Sequence, residues 1–358
     1  MQIGPPAPPG IVSASTGEDG IRKIDIFSHV LPARYLEAIG RHAADRHGPM
    51  VSRFAGIRAL WDMDARLAMM AQWPELQQVL TLSLPSPEVI AGPSVSPELA
   101  RVANDGMAEI CSRHPAAFPA FVASLPMNDI AAALQEMDRA IGTLGARGIQ
   151  LLTSVNGRPL DHPDFFPVFE RIARMHRMPV WLHPFRDAGV PDYPSESRSE
   201  YEVATVLGWP HESSVAMARM VFSEMFDRLP GLTVITHHCG ATIPYLLGRV
   251  GPIWDELGLR SGNAAYAAIR KRMSKRPLEY FRDFHADTAI GGSVAALRCG
   301  MEFFGPSHVL FGTDCPFGPE GGLWFLRENI RALDALELPA EDRQDVYFRN
   351  ALSLLRIP

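Results

Sequence analysis

Apolar residues along this chain fall into short continuous runs, separated by longer stretches in which they recur every three or four positions. The runs at 22–28, 77–84, 118–125, 148–153, 178–183, 232–238, 284–289 and 309–313 predict strands. They are continuous rather than alternating, the pattern of strands buried on both faces of a parallel sheet. The stretches at 96–113, 130–144, 165–175, 213–228, 242–257 and 293–304 have the amphipathic spacing of helices, with Pro and Gly at many junctions. Eight strands, each followed by helical sequence, predict an α/β fold: a closed (β/α)8 TIM barrel in preference to an open doubly wound sheet.

Four of the runs end in a residue able to bind a metal or move a proton. KIDIFSH ends at His29, PVWLH at His183, LTVITHH at His237 and His238, and VLFGTD at Asp314. Barrel active sites lie at the carboxyl ends of the strands, so these imidazoles and the carboxylate would meet on one rim, the composition of a catalytic metal site. Each residue alone has a plainer reading. A single strand-end histidine is commonly a hydrogen-bonded core residue, and Asp314 before Cys315-Pro316 suits a turn. Their joint placement favours the site, because a carboxylate buried in an apolar strand needs a cation or donors. Strand alternation points His237 to the opposite face from His238 and gives it a structural or supporting role. The same alternation turns Cys239 and Cys315 away. Phe185 and Phe317 follow the candidate residues closely and would wall a flat substrate.

Composition narrows the picture. The chain has 358 residues, 47% hydrophobic and 21% charged, enough for a large core. A formal net charge of −6 gives no electrostatic case for nucleic acid or an anionic membrane as partner. No window approaches the ~18 uninterrupted apolar residues of a membrane helix. The opening MQIGPPAPPGIVSASTGEDG reads as a flexible lead over residues 1–20, or as a segment draped on a neighbouring subunit, with a single barrel domain over 21–358. Cys111, Cys239, Cys299 and Cys315 form no CxxC pair and no disulfide framework, which suits a reducing cytoplasm.

The motifs IDIFSHVLP, PVWLHPF, the segment from GWPHESS through THHCG to LLGRV, and VLFGTDCPFG together resemble the amidohydrolase superfamily. Within it they resemble the amidohydrolase-2 branch, which includes aminocarboxymuconate-semialdehyde decarboxylase and the decarboxylases of hydroxylated aromatic acids. The resemblance runs from Lys23 to the C-terminus. It implies His29, His183 and Asp314 as ligands of one divalent metal ion, zinc first and manganese second. It also implies His238, at the H-x-G position, as the acid/base residue, with Asp314 as its alternative in proton transfer. Arg249, eleven residues after His238, matches a position that binds a substrate carboxylate across a subunit boundary; its plainer reading is a salt-bridged surface arginine. Arg53 and Arg58 are left undecided for a similar role. His211 reads as part of a helix start, and His285 stands behind Asp287 or Thr288 as a rim residue.

One departure is the family's first ligand position, usually histidine or a carboxylate, where this chain has Phe27. Strand four, GIQLLTSV, lacks the bridging residue of two-metal relatives. The resemblance therefore implies a one-metal decarboxylase, a carbon–carbon lyase acting on a small aromatic or unsaturated carboxylic acid, as a homodimer. The alternatives are a mononuclear hydrolase of an ester, lactone or amide, and a metal-free pseudo-enzyme or binding protein.

Overall fold

The computed structural model describes residues 20–42 and 48–357; of the expected N-terminal lead, 1–20, all but Gly20 lies outside them. All eight expected strands form: β1 (Lys23–Val30), β2 (Leu76–Leu82), β3 (Ala120–Phe121 continued by Ala123–Ser124), β4 (Ile149–Leu152), β5 (Val180–His183), β6 (Val234–Thr236), β7 (His285–Asp287) and β8 (Val309–Leu310). Every residue of β1 is buried, including Lys23, whose charge is met by Glu75 at 2.8 Å.

The strands pair in parallel as β1-β2-β3 and as β8-β7-β6-β5-β4-β3. β3 joins the two sets because its first half pairs with β2 and its second with β4. The other seam is joined by a Ser28–Cys315 bridge and by backbone bonds from Ile26 N to Phe311 O (2.9 Å) and His29 N to Cys315 O (2.7 Å). The eight strands thus form a ring, the expected barrel.

Among the described residues, buried apolar side chains separate into two clusters. Ile24, Ile26, Val79, Val122, Trp181, Ile235 and Leu310, from opposite sides of the ring, pack together with Ala351 and Leu355 of the last helix. Trp181 Nε1 of β5 donates to Ile26 O of β1 at 3.0 Å, a bond across the interior. The larger cluster packs the outward strand faces against the helices. Helix 96–113 matches its expected bounds, whereas the expected 213–228 starts earlier, at Trp209, and is broken by Glu224 in a left-handed conformation. His211 falls in the first turn of that helix, as its sequence context suggests.

Candidate metal centre

The carboxyl ends of β1, β5, β6 and β8 converge, and local backbone geometry aims the side chains. His29 is fully buried, with Nδ1 3.1 Å from Thr81 Oγ1 of β2 and its carbonyl accepting from Arg66 Nη1 at 3.2 Å. His183 Nδ1 bonds to Pro184 O at 2.7 Å, so that nitrogen carries the proton and Nε2 keeps its lone pair. Asp314 takes a left-handed conformation (φ 64°), and its N donates to Phe27 O at 3.0 Å, which turns the carboxylate inward. Gly312 lets β8 pass close to β7: a Cβ there would stand 2.9 Å from Asp287 Cβ.

His237 does not point away as strand alternation predicts. β6 ends at Thr236, and His238 and Cys239 both adopt φ 55°, so alternation no longer applies beyond the last paired residue. The rings of His237 and His238 stack at 3.8 Å, and both reach Asp314: His237 Nε2 lies 3.4 Å from Oδ1 and His238 Nε2 3.8 Å from Oδ2. His29 Nε2 lies 3.2 Å from the same Oδ1. Ligating atoms of His29, His183 and His237 lie within 4.8 Å of one another, as do those of His237, His238 and Asp314. The Nε2 atoms of His29 and His237 are buried without a hydrogen-bond partner. Orphaned imidazole nitrogens around a carboxylate are a donor set that fits a divalent metal ion. Cys239 and Cys315 are buried outside this group, Cys239 through its left-handed backbone rather than strand alternation; its Sγ packs against Gly300.

Burial and charge act in opposite senses here. Burial alone would raise the Asp314 carboxyl, but the imidazoles of His237, His238 and His29 close around it hold it well below the usual range. Burial lowers His29 and, more strongly, His183, the latter reinforced by the neighbouring imidazoles. His238 is lowered by burial and by the charge on His237, against the pull of Asp314. His237 resists its burial and rises to about 9, because Asp287 and Asp314 flank it.

Above the cluster opens a cavity of about 960 Å³ whose lining includes His238, Asp314, Phe185 and Phe317. Phe54, Trp209 and Phe325 add aromatic wall, and Arg53, Arg186 and Arg198 bring guanidinium groups. Arg186 is engaged by Pro191 O at 2.9 Å and by Asp192 at 3.6 Å. Arg58 instead pairs with Asp62 at 2.7 Å, and Arg249 is exposed on the helix Leu247–Asp255 and does not line this cavity. Asp287 is fully buried and bonded to His237, and His285 packs on His308 with burial lowering it to about 4. Sequence reasoning overlooked Arg198, Arg186 and Trp209, since residues 186–200 carry no motif and Trp209 lies ahead of the expected helix.

A family profile described as amidohydrolase matches residues 24–357. A gamma-resorcylate decarboxylase of Rhizobium radiobacter is 30% identical over 300 residues, 78% of this chain and 85% of that one. A 2-amino-3-carboxymuconate-6-semialdehyde decarboxylase of Dictyostelium discoideum is 29% identical over 309 residues, 82% of each chain. Among solved structures, a 5-carboxyvanillate decarboxylase of Novosphingobium aromaticivorans, complexed with manganese and 4-hydroxy-3-methoxy-5-nitrobenzoic acid, superposes with a TM-score of 0.80 at 21% identity, covering 95% of this chain and 97% of that one.

Proposed function

The chain belongs to the amidohydrolase family, and from that premise we propose that it is a metal-dependent decarboxylase of small aromatic or unsaturated carboxylic acids. Relatives named as decarboxylases along most of its length support the reaction class. The observation that carries the reading for this chain is the junction of an orphaned imidazole and carboxylate cluster with an aromatic-walled cavity that also presents arginines.

His29, His183 and Asp314 would hold one divalent ion, zinc or the manganese found in the Novosphingobium relative. Bound there, the ion supplies positive charge for an acidic substrate's oxygens. The remaining work falls to the chain's own groups. Phe185, Phe317 and Trp209 confine a flat ring, and Arg53 and Arg198 draw a carboxylate into the cavity. His238, with its side chain 18% exposed, is the proton carrier. Burial and the charge on His237 disfavour its protonated form in the free protein, and an anionic substrate beside it favours that form. As the carbon–carboxylate bond breaks, its electron pair stays on carbon; a proton from His238 takes the vacated place and carbon dioxide leaves. Asp314, anionic beside His238, orients the imidazole. A homodimer in a reducing cytoplasm completes the reading, supported by the position of Arg249 outside its own chain's cavity and by the scatter of the cysteines.

Incubation with hydroxybenzoates and muconate-type acids in D2O tests the reaction. Expected are carbon dioxide release, lost on chelation, and deuterium at the vacated carbon. Turnover of esters, lactones or amides without carbon dioxide would instead make the chain a hydrolase.

A further inference from the structure

We infer that His237 is itself a metal ligand, supplying from β6 the imidazole that β1 lacks at Phe27. The inference rests on the metal-binding reading above and adds a fourth protein donor to His29, His183 and Asp314.

Nε2 of His237 has no hydrogen-bond partner although the side chain is fully buried. Burying such an unmet polar atom is costly unless something takes its lone pair. Its other nitrogen, Nδ1, is bonded to Asp287, whose second oxygen accepts from Cys239 N (3.1 Å) and Ala289 N (3.0 Å). An imidazole held through one nitrogen by an anchored carboxylate, with the other nitrogen bare, is how metal-ligating histidines are held.

The spacing agrees. Two atoms bound to one zinc at 2.0–2.1 Å with a tetrahedral angle stand about 3.3 Å apart. His29 Nε2 and His237 Nε2 lie 3.2 Å and 3.4 Å from Asp314 Oδ1. Charge-assisted hydrogen bonds are shorter, about 2.7–2.9 Å, so these separations suit edges of a coordination shell better than direct bonds. His238 faces the other carboxylate oxygen at 3.8 Å and is partly exposed, which leaves it for proton transfer.

Phe27 explains why the donor comes from β6. Its ring is fully buried, 5.7 Å from His29 and 6.0 Å from His183, so position 27 faces the cluster while offering no ligand atom. The same ring stacks on His237 at 3.8 Å with 16° between planes and fixes the imidazole's orientation.

X-ray absorption of the zinc-loaded full chain, wild type and His237→Gln, with a chelator-competition titration of each, decides the matter. Expected are three imidazoles per zinc in the wild type, two in the variant, and at least a ~10-fold loss of affinity. Two imidazoles in the wild type with unchanged affinity in the variant would overturn the inference and leave metal binding standing. A wild type that takes up no zinc or manganese would overturn both. Should His237→Gln fail to fold, the imidazole count of the wild type alone decides.

Discussion

His237 and His238 are adjacent in sequence, yet their surroundings push them apart: two carboxylates raise the first to about 9, whereas burial and that neighbouring charge lower the second. An ion bound beside His237 would displace the Nε2 proton that the carboxylates favour in the metal-free chain, whereas His238 stays free to carry one. His238→Gln should reduce turnover by about 10²–10⁴-fold while elemental analysis finds the metal retained; loss of the ion together with activity would make His238 a ligand instead. Glu88 offers a separate test of pH dependence. It is buried with Oε2 unpartnered, and burial raises it from 4.5 to about 7. Its folded value exceeds its unfolded one, so the contribution is complete below about 4.5 and is lost as pH rises through about 7. Denaturant unfolding from pH 5 to 8 should show that loss in the wild type and a flatter profile in Glu88→Gln; identical profiles would mean that Glu88 is ionised throughout. His29, His183, His238 and Asp314 were legible in the sequence because each closes an apolar run. The direction of His237 was not, because strand alternation ends with β6 at Thr236 and nothing in THHCG announces left-handed residues at His238 and Cys239.

Strands were legible as elements because burial on both faces leaves continuous apolar runs, although β6 and β8 are shorter than their runs, with three and two residues. There the chain leaves the ladder to aim His237, His238 and Asp314. What ties those ends together is polar and long-range. Arg66, 1% exposed, donates to Gln78 Oε1 (2.8 Å), Ala59 O (3.1 Å), His29 O (3.2 Å) and Ser28 Oγ. Asp25 of β1 accepts from Thr313 N at 3.0 Å and from Gln78 Nε2 at 3.1 Å, fastening the segment after β8 to β1 and β2. No sequence pattern marks such bonds, since Arg66 reads as one more helical arginine. Arg66→Met leaves those acceptors buried and unpaired, and equilibrium unfolding should show a loss on the order of 3 kcal/mol. A change within ~0.5 kcal/mol, the range of ordinary surface substitutions, would show that water or rearranged side chains satisfy them.

At the scale of the whole molecule, the ring of strands converts residues from 29 to 314 into one rim, and helix and strand order in the sequence was enough to expect it. The cavity was not legible, because loops such as 186–200 shape it without periodicity or motif. Arg249 belongs to this scale, since its own chain leaves it exposed and away from the cavity. In a homodimer that delivers it to the partner's site, Arg249→Ala keeps its metal and raises KM for an acidic substrate; unchanged kinetics would make it a surface residue. Everything proposed for catalysis depends on an ion at the junction of β1, β5 and β8. Elemental analysis of freshly purified wild type beside a His183→Ala, Asp314→Ala double variant tests that directly. About one zinc or manganese per chain in the wild type and none in the folded variant is the predicted result; a wild type without stoichiometric metal, or a variant that retains it, would contradict the account.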